Sequence, residues 1–147
     1  MPVRIRLRET MARTLMECCD AVEECYEFML AYAAQGLAGD SGSSSGDQLR
    51  TLLRKALDAI TGVADAYQAT ISELSLQPAE KHLAFLAVLD RDARDAAAAM
   101  DLVVSQSTIS SQLVDNLNAS IHLRALLTDF FVIDEIIKQR QAAAATK

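Results

Sequence analysis

Three thiols, two imidazoles and a run of carboxylates are the groups in this chain that could do chemistry, and their spacing decides whether they can act together. Cys18, Cys19 and Cys25 lie within eight residues of one another. On a helix Cys18 and Cys25 share a face two turns apart while Cys19 points about 100° away, so no two of them grip one ion as a C-x-x-C pair does. An odd cysteine count without a secretory signal argues for free thiols, and a buried free cysteine packs as a small hydrophobe. Cys18 and Cys25 are therefore expected in the core. Cys19 is expected at its border, where a reactive or interfacial role is open to it.

His82 and His122 are the two imidazoles. A metal-binding helical bundle bridged by carboxylates needs Glu-x-x-His pairs on two helices, and the spacing of Glu80 to His82 does not supply one. A hydrogen-bonded histidine at the end of a helical bundle is the expectation for His82; a metal or small-molecule site at that end is the alternative. A histidine phosphotransfer role would set His122 beside a small-residue turn and a lysine, and "HLRALL" resembles that only loosely. Glu17, Asp20, Glu23, Glu24 and Glu27 form an acidic face with no base among residues 17–27. Such a face is a solvated surface or the docking site of a basic partner. No glycine-rich phosphate loop and no heme or zinc signature is present, and no cofactor is expected.

The elements that carry these groups follow from apolar spacing. Steps of three and four trace one face of a helix. Leu7, Met11, Leu15, Cys18, Val22, Cys25, Met29 and Tyr32 mark a first helix over 8–37, preceded by a basic arm at 1–7. Leu49, Leu53, Ala56, Ile60, Val63 and Tyr67, then Ile71 and Leu74 after a one-residue slip, mark a second over 47–76. His82, Leu86, Leu89, Ala93, Ala96, Met100 and Val103 mark a third over 78–104. The loop "GLAGDSGSSSGD" at 36–47 holds four of the five glycines. With no apolar anchor, residues 38–46 read as a flexible link, closed by a capping box of Ser45 and Gln48. Short connections make consecutive helices antiparallel, so the expected fold is all-α, a single-domain up-down-up-down four-helix bundle with long helices.

The fourth helix, 109–140, breaks the pattern. Leu113, Val114, Leu117 and Ile121 lie on one face of its first half, whereas Leu123, Leu126, Phe130, Ile133 and Ile137 lie nearly opposite. The heptad mismatch drifts only ~20° per seven residues, so supercoiling does not explain the change. A bend or interruption near residues 116–122, within "NLNAS", does. In "LLTDFFVIDEII" one side then fills the core, and Phe131, Val132 and Ile136 remain, flanked by Leu127, Arg124 and Glu135. A contiguous apolar patch of this kind marks an interaction surface more often than an open monomer face. Residues 141–147 read as a frayed tail.

Composition bounds the rest. The 147 residues carry a formal net charge of −6, which disfavours nucleic acid as a partner. With 51% apolar and 23% charged residues the chain is globular. No apolar run approaches the ~20 residues of a membrane span. The N-terminal stretch lacks the apolar block of a signal, so a cytoplasmic location is expected. The sequence thus points to a non-enzymatic assembly or protein-interaction role, with a homo-oligomer expected and a dimer favoured.

Overall fold

A computed structural model describes the backbone of residues 2–145 and the side chains of residues 14–145. The described residues form six helices and no strand: α1 (Pro2–Ala34), α2 (Ser44–Thr61), α3 (Val63–Glu73), α4 (Ala79–Val104), α5 (Ser111–Ala119) and α6 (Ile121–Ala145). Two of the four expected rods are therefore broken. Gly62 separates α2 from α3 in a bridge-region conformation (φ −99, ψ 0), the backbone of a residue type that weakly supports helix. Ser120 separates α5 from α6 with an extended backbone (φ −65, ψ 136), inside the stretch where the reversal of face demands a break. The expected arm at 1–7 belongs to α1 from Pro2 on, although its arginine side chains lie outside the described residues. The expected tail continues α6 to Ala145.

Packing follows the apolar faces. α1 lies against α2, α3 and α5 and touches α6, while α4 lies against α2, α3 and α6. One continuous core runs through all six helices, with Tyr32, Tyr67 and Phe130 its largest fully buried side chains. The slip between Tyr67 and Ile71 is filled by Thr70, buried with its hydroxyl donating to the Ala66 carbonyl at 2.8 Å. The seam of α1 runs through Leu15, Cys19, Val22, Cys25, Met29 and Tyr32, so Cys19 is buried and Cys18 only half-buried, the reverse of the expectation. A helix flanked on both sides buries a wide arc, and Asp134 of α6 lies near enough to help raise the Cys19 thiol to about 12, after burial, the main cause, and Cys18.

The loop between α1 and α2 is anchored, against the expectation of a free link. Gly36, with φ +65, ends α1 in the left-handed conformation that favours glycine. Asp40 is buried and pairs with Arg50 of α2, and its Oδ1 accepts from the Ile109 backbone N–H at 2.7 Å. Arg50 in turn donates to the carbonyls of Val104 and Gln106, both at 2.9 Å, satisfying orphan groups at the end of α4. The Arg50 guanidinium, aided by the Ile109 N–H, holds the Asp40 carboxyl below the usual carboxylate range. Ser111 donates to the Tyr32 carbonyl at 2.6 Å and accepts from the Leu37 N–H at 2.8 Å, and Tyr32 donates to the Ile109 carbonyl at 2.8 Å. The C-terminal ends of α1 and α4 and the N-terminal ends of α2 and α5 are thereby tied together.

The cap of α2 is Ser43, not Ser45, accepting from the Gly46 N–H at 2.9 Å. Gly46 sits so close to the Asp40 backbone that a Cβ there would lie 2.1 Å from its carbonyl oxygen, whereas a Cβ at Gly62 would meet nothing within 4 Å. Glycine to alanine at a position whose backbone alanine can adopt ordinarily stabilises by ~0.4–1 kcal/mol, by restricting the unfolded chain. Gly62→Ala is expected to follow that rule and Gly46→Ala to invert it, losing about 1–3 kcal/mol through overpacking; urea denaturation of the two variants reads both signs. Likewise Cys19→Ala and Cys25→Ala should each lower the melting temperature, at a cost of about 1 kcal/mol, and Cys18→Ala should lower it less.

Candidate interaction surface

Two helices with matching spacing build a groove on the surface of the described residues. Glu23, Tyr26, Glu27 and Leu30 project from α1 at positions i, i+3, i+4 and i+7, and Arg124, Leu127, Thr128 and Phe131 project from α6 at the same intervals. Side chains so spaced lie along one helix face, so the two rows enclose a trough of about 490 Å³. Its walls are mixed: carboxylates on the α1 side, a guanidinium on the α6 side, and apolar carbon from Tyr26, Leu30 and Phe131 between them. The structure thus brings part of the expected acidic face, Glu23 and Glu27, together with three of the expected interface residues, Arg124, Leu127 and Phe131.

The remaining interface residues take other places. Val132, Glu135 and Ile136 lie on the outward face of α6, where Phe131 is 57% exposed, Val132 43% and Ile136 38%. Leu127 is buried and forms the trough's floor, so it belongs to the core, contrary to the expectation of an interface position. Ile121, expected on the core seam, is 73% exposed, because the break at Ser120 resets the helical phase before α6 begins. Apolar spacing alone does not single out Tyr26 and Leu30. What finds them is their i, i+3, i+4, i+7 register with Glu23 and Glu27, once α6 is known to lie alongside.

The acidic face is not one site. Glu17, Asp20 and Glu24 are exposed, and Glu24 meets Lys55 of α2 at 3.3 Å in an exposed pair of the kind worth ~0–1 kcal/mol. Glu23 is pushed up by partial burial first and then by the carboxylates of Asp20, Asp134 and Glu27, with Lys138 opposing. Lys138 is held by Asp134 at 2.8 Å within α6.

Neither histidine is joined to a site of that kind. His82, on the first turn of α4, is buried, and its Nδ1 lies 2.6 Å from the Tyr67 hydroxyl of α3. Burial raises the Tyr67 hydroxyl to about 12, so it acts as a neutral partner to the ring. His122 is exposed at the start of α6. Among the described residues no group of three or more His, Cys, Asp or Glu side chains is arranged to hold a metal ion, and no helix is long and apolar enough to cross a membrane.

One titratable group stands out in the seam between α4 and α6. Asp129 is buried with its Oδ2 lacking a hydrogen-bond partner. Burial, followed by a hydrogen bond to Asp92 and the charge of that carboxylate, pushes Asp129 up to about 7. A carboxyl group buried beside another carboxylate favours its neutral form, since both burial and the neighbouring charge oppose ionisation.

No family model, no curated protein and no solved structure matches the chain.

The Asp129 carboxyl makes a pH prediction with a definite sign. Its folded-state value lies above its unfolded one, so the native state binds more protons between about pH 4 and pH 7, and stability falls as pH rises through that window. Asp129→Asn should remove that fall and stabilise the protein at pH 8 by about 1–3 kcal/mol. Urea melts of both proteins from pH 4 to pH 8 measure the difference in slope.

Proposed function

We propose that this protein is a non-catalytic assembly module, acting through protein contacts made by α6 and the α1–α6 trough. In this reading the six helices work as four rods, α1, α2–α3, α4 and α5–α6, with the layout of an antiparallel four-helix bundle. The tied helix ends hold those rods in register.

The observation that carries the reading is the double character of α6. Phe130 is 1% exposed and its neighbour Phe131 57%. The exposed apolar side chains Ile121, Phe131, Val132 and Ile136 follow one another along the same helix, and Leu30 of α1 stands on the far wall of the trough. Single exposed apolar residues are ordinary on a protein surface; a row of them along one element is the mark of a contact. Large aromatic anchors of this kind, with an arginine beside them, dominate binding energy in known interfaces. A second copy of the chain is the favoured partner. A small-molecule or metal site near His82 gains no support from the geometry, because that ring is buried and already engaged by Tyr67, and the exposed His122 has no acidic or lysine neighbour among the described hydrogen bonds and ion pairs.

Two adjacent substitutions test the reading. Phe130→Asp should unfold the protein, because a buried unpaired carboxylate costs several kcal/mol against a total stability of ~5–15 kcal/mol. Phe131→Asp should preserve helical circular dichroism and move the molecular mass measured by light scattering toward that of the monomer, since a charge placed within an apolar contact loses its water. Unfolding by both, or a wild type that is already a monomer, would show that the chain covers this face by itself.

A further inference from the structure

The outward face of α6 carries apolar side chains at matched distances from its middle and opposite charges near matched positions. Ile121 and Ile136 are equidistant from the step between Thr128 and Asp129, and so are Ala125 and Val132. Arg124 and Glu135 are centred one residue further along. At 100° per residue these six side chains fall within an arc of about 120°. The core positions Leu123, Leu126, Phe130, Ile133 and Ile137, all buried, occupy the opposite side. A helix face with this internal symmetry is complementary to itself when one copy is turned end for end, which is the requirement of an isologous two-fold contact.

We propose that α6 packs antiparallel against α6 of a second copy, with the two-fold axis at Thr128 and Asp129. Ile121 of each copy lies on Ile136 of the other and Ala125 on Val132, while Arg124 of each reaches Glu135 of the other. This deepens the assembly reading and rests on it.

Charge selects the orientation. A two-fold axis normal to the plane of the paired helices keeps the flank bearing Arg124, Phe131 and Glu135 of one copy against the same flank of the other. In the antiparallel arrangement that flank joins guanidinium to carboxylate twice. A parallel arrangement, whose two-fold axis runs along the helices, would place the flank bearing Arg124 and Glu135 on opposite sides of the two copies, so neither charge would find the other. Neither residue makes an ion pair among the described residues, so both are free to serve the contact. Phe131 lies on the same flank and meets the region of Thr128 in the mate, which explains why an aromatic side chain 57% exposed stands next to one that is 1% exposed. The small side chain of Ala125 lets the helices approach closely around the axis. Ile121 and Ile136 are about 22 Å apart at 1.5 Å per residue. A contact between two single helices over that length has a concentration-dependent association.

The experiment has three arms, each on the full chain. Sedimentation of the wild type over a concentration series up to the solubility limit should show a monomer–dimer equilibrium. Arg124→Glu and Glu135→Arg should each weaken the association by about tenfold, since each reversal acts twice in a symmetric contact, and the double variant should restore it. In a Cys18→Ser background, which removes the half-buried thiol, Thr128→Cys should form a covalent dimer on mild oxidation. Gln139→Cys, on the same outward face but about 30 Å from its own copy across the axis, should not. A dimer in which the double charge swap gives no recovery, or in which Thr128→Cys fails to cross-link, would overturn this pairing and leave the assembly reading standing. A wild type that stays monomeric at every concentration would overturn both.

Discussion

The carboxylate of Asp40 is the point on which the described structure turns. It lies in a serine- and glycine-rich loop, yet it is buried, and it is at once the counter-ion of Arg50 and the acceptor for the Ile109 N–H. Arg50 passes the restraint on to the last carbonyls of α4. Four chain segments that would otherwise end in unsatisfied backbone groups are thus fixed around one ion pair. Breaking such a pair leaves a second buried group without its partner, so its importance exceeds its intrinsic strength. Gly46 belongs to the same device, because only a residue without Cβ lets the first turn of α2 come against the Asp40 carbonyl.

Fixing that end has consequences along the molecule. With α1 and α5 tied through Tyr32, Ser111 and Leu37, the break at Ser120 sets the phase in which α6 starts. α6 then turns Leu123, Leu126, Phe130, Ile133 and Ile137 inward, Phe131 toward α1, and Asp129 toward α4. The cost of this phase is visible in polar groups drawn inside: Asp129 is buried with its Oδ2 unpartnered, and Asn118, on the last turn of α5, is buried with neither amide atom hydrogen-bonded. Unpartnered buried polar atoms each cost about 1–3 kcal/mol. They lie on either side of one helix break, where the change of phase draws them inside.

Much of the secondary structure is legible from local spacing. The seams of α2, α3 and α4 lie where the three-four periodicity puts them, and the reversal of face between Leu117 and Leu123 locates an interruption to within a few residues. The seam of α1 was legible only in part, since Cys18 and Cys19 compete for one position and the periodic template fits both within its tolerance. Neighbours decide between them: α6 covers the Cys19 side. The order of the first loop was not legible at all, because Asp40 finds Arg50 and Ile109 only after the helix ends have met, and Ile109 is 69 residues away in the chain. The same holds for the trough, where Glu23 and Glu27 appear as one half of a wall whose other half is nearly a hundred residues further on.

By itself, then, the sequence determined that the chain is helical, roughly where its helices run, and that α6 carries more apolar surface than one core-facing side can use. These are properties of a single helix, fixed by the angle of 100° between successive side chains. Only the tertiary structure decided that the second rod breaks at Gly62, that the glycine-rich loop is an anchored tie, which thiols are buried, and that burial pushes the Asp129 carboxyl up. Each of those depends on groups distant in the chain being brought within a few ångströms, where sterics, desolvation and charge outweigh local preference. The pattern of a helix can be read along the chain, but its environment is set by what lies beside it.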